Sequence, residues 1–464
     1  MKELSIDLNA NAGISLYEQI YTYIKREIHS QNLKKGDKLP STRGLAKHLS
    51  VSRSTVIMAY DQLVSEGYIY GKLNSGYYVS DVNELFNITI NKPVSVIEPK
   101  KSDRYQYDFS PGGVNLSEFP VNIWRRLTKN VLNDDNRELF NSGDGKGDYE
   151  FRESIAGYLH HSRGVKCLPE QIIIGAGNDY LLPIIIQLLG AKSIYAMEEC
   201  SYIKASKIIR SLEKKVCEIP MDKEGMSVES LAKTPANIAY VMPSHQFPTG
   251  IVMPVKRRNE LLRWASERDD RYIIEDDYDS EFRYRGKPIP SLQGQDTADK
   301  VIYIGTFSKA IAPAIRMSYA VLPQSLLKAY DGMIGFYSCS VSRIDQRIVN
   351  AFISEGHYER HLNRMRAAYK AKHDLIIELL KPFLAKFELS GDYSGTHILL
   401  TSKEKIEDRE LVKIALASGV RVYPLSDFML EPKGKSYTVI IGYASIEADM
   451  IEAGIELLSK SWLK

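Results

Sequence analysis

Gly305-Thr306-Phe307-Ser308-Lys309 and, seven residues on, Arg316 set two hydroxyls, one amine and one guanidinium behind a short apolar run, Val301 to Ile304. A buried strand running into such a small-residue turn suits an aldehyde cofactor that carries a phosphate. The lysine condenses with the aldehyde as a Schiff base, while Thr306, Ser308 and the arginine hold the phosphate.

Three further sets of residues supply what that chemistry needs. Asp276 and Tyr278 follow the apolar run Tyr272 to Ile274. A carboxylate there keeps a pyridine nitrogen protonated, because an opposite charge favours the charged form. A phenol two residues on hydrogen-bonds a ring hydroxyl. Gly175-Ala176-Gly177-Asn178-Asp179 opens a predicted helix, whose free amides suit a phosphate. Tyr202 follows another apolar run and is placed to stack on a ring.

These loops need a scaffold that brings strand ends together. Apolar runs recur at Ile172–Ile174, Ile194–Met197, Val216–Ile219, Ile238–Met242, Tyr272–Ile274, Val301–Ile304 and Tyr319–Leu322. Helical stretches such as Asp179–Leu189 and Lys256–Glu267 lie between several of them. Strands alternating with helices predict an α/β fold with a mostly parallel sheet and sites at the strand ends. Long charged helical stretches follow, Ile344 to Leu384, and then a smaller α+β ending with apolar runs at Val420–Tyr423 and Thr438–Tyr443.

The first 80 residues read differently. Leu16, Ile20, Ile24 and Ile28 give one helix an apolar face. Ser41 is a candidate cap for a short helix carrying Leu45, Ala46 and Leu49, and Ser52 for a third that buries Val56, Ala59, Tyr60 and Leu63. Gly67 to Tyr70 and Asn74 to Val79 make a strand–turn–strand wing. In such a helix-turn-helix, Ser52, Arg53, Ser54 and Thr55 stand at the helix end that enters the major groove of DNA. Arg43 and Lys72 add backbone contacts. This unit carries ten Lys or Arg against seven Asp or Glu, whereas the rest of the chain is neutral, so an anionic partner is expected for this part alone.

Residues 81–106 are punctuated by Asn, Pro and charged residues and read as a linker. The predicted organisation is therefore 1–80 for the DNA reader, 81–106 for the linker and 107–464 for the large unit. Within the large unit, a first part runs to about 340 and a second from about 341. The apolar stretch Ile172 to Gly190 is interrupted by glycines, polar residues and Pro183, so it predicts strand–loop–helix rather than a membrane span. MKELSIDLNANAG lacks an apolar signal region, and Cys167, Cys200, Cys217 and Cys339 show no metal-binding spacing. A cytoplasmic protein with reduced, buried cysteines and no metal is expected.

Two resemblances cover nearly all of the chain. GDKLPSTRGLAKHLSVSRSTVIMAYDQLVSEGYI closely resembles the GntR family of winged-helix regulators. From about Asp108 onward the chain resembles fold type I pyridoxal-phosphate enzymes of the aminotransferase group, including Gly147 to Arg152 and the turn Phe247-Pro248-Thr249-Gly250. PSHQFPTG, IIEDDYDSEF and GTFSKAIAPAIRMSY echo the MocR/GabR group of bacterial regulators, which joins the two units. That resemblance implies a Schiff base at Lys309, Asp276 on the pyridine nitrogen, Tyr278 on the ring oxygen and Tyr202 against the ring. It places Ser308 and Arg316 on the phosphate. It also implies a head-to-tail homodimer that binds operator DNA.

Three departures qualify the match. Phe247 stands where the enzymes place an asparagine, and Asp179 where a neutral polar residue is usual beside the phosphate. Ser445 occupies the position of the arginine that pairs with an amino-acid carboxylate, with Lys204 near the place of a second arginine. These departures favour a regulator that senses pyridoxal phosphate or an amine effector, with control of vitamin B6 synthesis or of amine or amino-acid metabolism as the expected role. A working aminotransferase with an accessory reader is the alternative.

Overall fold

A computed structural model describes residues 4, 6–9, 13–73, 75–82, 105–284, 289–392, 395–431 and 434–463. The chain divides into two compact units, Met1–Ser102 and Asp103–Lys464. Most of the predicted linker, residues 83–104, and Asn74 of the wing lie outside the described residues.

The first unit packs three helices, Leu16–His29, Thr42–Leu49 and Arg53–Ser65, with a hairpin of Ile69–Lys72 and Gly76–Val79. Ile20, Ile24 and Ile28 of the first helix meet Val56, Ala59, Tyr60 and Leu63 of the third in one core. Ser41 Oγ accepts from the Gly44 amide at 3.0 Å and Ser52 Oγ from the Thr55 amide at 3.1 Å. Each cap satisfies a helix N-terminal amide that would otherwise need water. Ser50 adopts a left-handed conformation (φ 54°) and makes the sharp turn between the second and third helices.

The seven apolar runs from Ile172–Ile174 to Tyr319–Leu322 all enter a single sheet. Its spatial order is Ile172–Gly175, Ser318–Val321, Val301–Thr306, Tyr272–Asp277, Ile238–Val241, Ile194–Glu198 and Lys215–Ile219. Ser318–Val321 is antiparallel to both neighbours, and the remaining pairs are parallel. Ile302 and Ile304 pack into one apolar cluster while Val301 and Tyr303 pack into others, so both faces of the sheet are covered. That double burial is why these strands read as continuous apolar runs.

A smaller antiparallel sheet follows the helices Arg343–Ser354 and His357–Leu379. It is ordered Phe387–Ser390, His397–Ser402, Thr438–Gly442 and Tyr423–Pro424. The run Val420–Tyr423 is not one strand. Val420–Arg421 instead pairs with Tyr107–Asp108, at the start of the second unit, and Tyr423 turns into the four-stranded sheet. The small layer thus draws on both ends of this unit. The cysteines also differ from expectation: only Cys200 is buried, and Cys167, Cys217 and Cys339 are partly exposed. Cys217 lies on the edge strand Lys215–Ile219, and the other two lie in loops.

Candidate functional site

The carboxyl ends of the parallel strands meet at one corner of the sheet, and the loops there enclose a cavity of about 310 Å3. Around it the structure gathers Gly177, Asn178 and Asp179 from the first strand–helix turn, Tyr202, and Asp276 and Tyr278. Thr306, Ser308, Lys309 and Arg316 join them from the loop after Val301–Thr306. Gly112, Lys204, Met242, Phe247, Pro313 and Ser318 complete the wall.

The loop bearing Lys309 and Arg316 is tied at its neck. Thr306 pairs with Ser318 across the two antiparallel strands, their hydroxyls lie 2.9 Å apart, and the Phe307 amide donates to Met317 O at 2.9 Å. The Thr306 hydroxyl also accepts from the Ser308 amide at 3.1 Å. Thr306 lines the cavity while its hydroxyl also braces the loop from inside. Ser308 Oγ is buried and has no partner among the described residues. Lys309 Nζ donates to Gly112 O at 2.9 Å. Burial lowers the lysine to about 8, against a smaller upward pull from Asp279.

Asp276, the penultimate residue of the central strand, lies inside the protein, 4 % exposed. Its carboxylate accepts from Asn178 Nδ2 at 3.2 Å and from the Tyr240 hydroxyl. Burial raises it to about 6, and these two hydrogen bonds work in the opposite direction. The Tyr278 hydroxyl lies 2.9 Å from His245 Nδ1, which is itself 2.9 Å from Asp279 Oδ2. Burial, then the nearby Asp279, pushes the Tyr278 phenol well above its usual value. Tyr202 and Phe247 meet edge to face, with ring centroids 6.4 Å apart. Phe247 also packs on Tyr278, His397 and Phe428. In place of a polar asparagine, this chain has an aromatic wall.

Gly177 caps the helix Asn178–Leu188 with φ +91°, a conformation that suits glycine. A Cβ there would stand 2.5 Å from Arg316 Nη2. Arg316 Nη2 donates to Asp179 Oδ2 at 2.9 Å, and Lys204 Nζ donates to the same oxygen at 2.5 Å. The charge flagged at Asp179 is thus balanced by two cations. Ser445 is exposed and does not line the cavity; Arg316 is the one arginine that does, among the described residues.

These groups fit a phosphorylated aromatic aldehyde: an amine of reduced basicity, a buried carboxylate, an aromatic wall, and a corner with a guanidinium, a helix N-terminus and an unpartnered hydroxyl. Sequence reasoning passed over Tyr240, His245, Asp279 and Gly112. Tyr240 pairs in register with Ile274, so strand alternation sets it on the same face as Asp276, two residues on.

On the first unit, Arg53, Ser54 and Ser52 are exposed at the start of the third helix, with Thr55 partly buried beside them. Ser52 Oγ lies 2.7 Å from Ser54 Oγ and 2.8 Å from Thr55 Oγ1. Arg43 is exposed on the preceding helix. Lys72, exposed in the hairpin, sits over the rings of Tyr78 and Tyr70 at 5.0 and 5.7 Å.

Comparison with known families matches residues 16–79 to the bacterial regulatory proteins of the gntR family and residues 113–456 to aminotransferase class I and II. The chain is 40% identical over 458 residues, 98% of either chain, to the uncharacterized HTH-type transcriptional regulator YdeL of Bacillus subtilis. It is 32% identical to the probable rhizopine catabolism regulatory protein MocR of Rhizobium meliloti, covering 98% of this chain and 95% of the relative. Identity to the HTH-type pyridoxine biosynthesis transcriptional regulator PdxR of Corynebacterium glutamicum is 30%, over 97% of each. Among solved structures, a Pyrococcus horikoshii kynurenine aminotransferase superposes with a TM-score of 0.69 at 24% identity, covering 82% of this chain and 98% of that one. The fold is that of the type I aminotransferases, preceded by a gntR-type helix-turn-helix. The chain belongs to the MocR-type HTH transcriptional regulators, which carry an aminotransferase class I and II domain.

Proposed function

We propose that this protein binds operator DNA through its first unit and holds pyridoxal 5'-phosphate in the cavity of its second, where the cofactor or an amine that reacts with it is the signal. The observation that carries this reading is the meeting of Lys309, Asp276, Arg316 and the Gly177–Asp179 turn at one cavity, in a chain that also bears a DNA reader.

When bound, the cofactor supplies an aldehyde that condenses reversibly with primary amines. The chain supplies the rest. Lys309 offers an amine whose burial keeps part of it unprotonated near neutral pH. Asp276 holds a proton on the ring nitrogen, and Asn178 and Tyr240 fix the carboxylate for that task. Tyr278 bonds the ring oxygen and Tyr202 covers the ring face. Ser308, Arg316 and the amides of the Gly177–Asp179 turn hold the phosphate. In the first unit, Arg53 with Ser52, Ser54 and Thr55 enters the major groove, while Arg43 and Lys72 contact the backbone. A cytoplasmic head-to-tail homodimer is part of this proposal.

Regulation rather than turnover is supported by the names of the full-length relatives and by a cavity whose only arginine, among the described residues, already faces the phosphate corner. Among the described residues, that wall offers no second guanidinium as a bidentate partner for an amino-acid carboxylate. The name of the Corynebacterium relative makes vitamin B6 synthesis one candidate for the controlled pathway.

The test is a titration of purified protein with pyridoxal phosphate and then with amines, following absorbance and binding to DNA from its own upstream region. A visible band absent from Lys309→Ala, with DNA binding that responds to ligand only in the wild type, is expected. Sustained keto-acid formation from a common amino acid would instead identify an enzyme.

A further inference from the structure

Two cations and one carboxylate share the phosphate corner of the cavity. Asp179 comes from the first turn of the helix Asn178–Leu188, Lys204 from the helix Ile203–Ser211 and Arg316 from the Lys309 loop. Three separate elements therefore converge, and both cations donate to the same Asp179 oxygen, Oδ2. As part of an anion seat this carboxylate works against its neighbours. It engages the guanidinium that a phosphate needs, and its charge repels that phosphate. With Asp179 the three side chains carry one net positive charge; a neutral residue would leave two.

The pairs are also exchangeable. Lys204 and Arg316 keep 52% and 51% of their side-chain surface, and Asp179 keeps 34%, so water screens both contacts. A phosphate group, with a charge of about −1.5 to −2 at neutral pH, outweighs one carboxylate in the contest for these cations.

We propose that Asp179 is an internal competitor for Arg316, and Lys204 a second cation of the seat, so that a phosphate-bearing ligand is held reversibly rather than permanently. The inference rests on the proposed cofactor site and deepens it. A ligand that never leaves carries no information about its own concentration, whereas one released on a useful timescale shifts the population of states.

Asp179→Asn in the full-length protein tests this, because the amide oxygen still accepts from Arg316 and Lys204 while the charge is gone. Dissociation constants for pyridoxal phosphate and for pyridoxal, which lacks the phosphate, are measured by fluorescence titration, and release is timed after transfer to an aldehyde trap. The variant is expected to bind pyridoxal phosphate about tenfold more tightly and release it more slowly, with pyridoxal unchanged. Lys204→Gln is expected to weaken pyridoxal phosphate several-fold. Asp179→Ser repeats the measurement if the asparagine protein does not fold. Unchanged or weaker binding in the Asp179 variants would mean that Asp179 merely orients Arg316, which overturns the inference. Equal gains for both ligands would overturn it too, since the effect would not lie at the phosphate. Wild-type protein that takes up neither ligand refutes the cofactor site itself, an outcome distinct from either.

Discussion

Capture of an aldehyde requires the Lys309 amine without its extra proton, so the rate of capture reports that group's ionisation. Burial brings Lys309 from 10.5 to about 8. At pH 7 about a tenth of the amine is then free, and at pH 9 about nine-tenths, so the rate rises about tenfold and levels off. An unshifted lysine would give a rise of about a hundredfold over the same interval, with no plateau. One charged neighbour shapes the curve and one histidine stays out of it. Asp279 pulls the value up, so Asp279→Asn should move the midpoint below 8 and speed capture at pH 7. His397 is held down to about 3, first by burial and then by His245, so it stays neutral throughout this window. Stopped-flow absorbance of full-length protein mixed with pyridoxal phosphate from pH 6.5 to 9.5 gives the profile. A rate still climbing steeply at the upper limit, or one that is flat throughout, would refute the claim that burial sets this amine.

Three further outcomes are expected. Gly177→Ala should weaken pyridoxal phosphate at least about tenfold in a fluorescence titration, since its methyl would meet Arg316 Nη2 at 2.5 Å on a backbone suited to glycine. Tyr240→Phe removes a hydrogen bond that lowers Asp276, so the carboxyl should rise above about 6 and the acid limb of cofactor binding should move to higher pH. Arg53→Ala should weaken operator binding at fixed salt. A loss confined to one base position, of about 1–3 kcal/mol, marks a base contact, while a uniform loss with a salt slope shallower by about one marks a phosphate contact.

The strands of the large sheet were legible because burial on both faces leaves no alternation to confuse with a helix. The small sheet was only partly so. Phe387–Ser390 buries Phe387 while Glu388 and Ser390 face outward, and Tyr107–Asp108 is two residues long, so neither stands out from its surroundings. At the site, residues in loops after strands were readable because amine, carboxylate and glycine turn each have a chemical reason to be there. Tyr240 was hidden within an apolar strand, where a phenol reads as core. His245 reaches Tyr278 across 33 residues of sequence and Asp279 across 34, a proximity that only the folded chain creates. The reader unit was legible in detail, since caps and turns depend on residues three or four apart.

The oxygen that receives the Lys309 hydrogen bond belongs to Gly112, a few residues beyond the point where the chain enters the second unit. That entry stretch is stitched to the small layer through Tyr107–Asp108 and through the Phe109 amide on Arg421 O. Any partner that claims the amine must first take it from this carbonyl, a loss of about 1 kcal/mol that falls on the threshold of the unit rather than deep in its scaffold. The first hydrogen bond that an occupant of the pocket must break therefore lies on the stretch of the second unit that follows the helix-turn-helix unit in sequence.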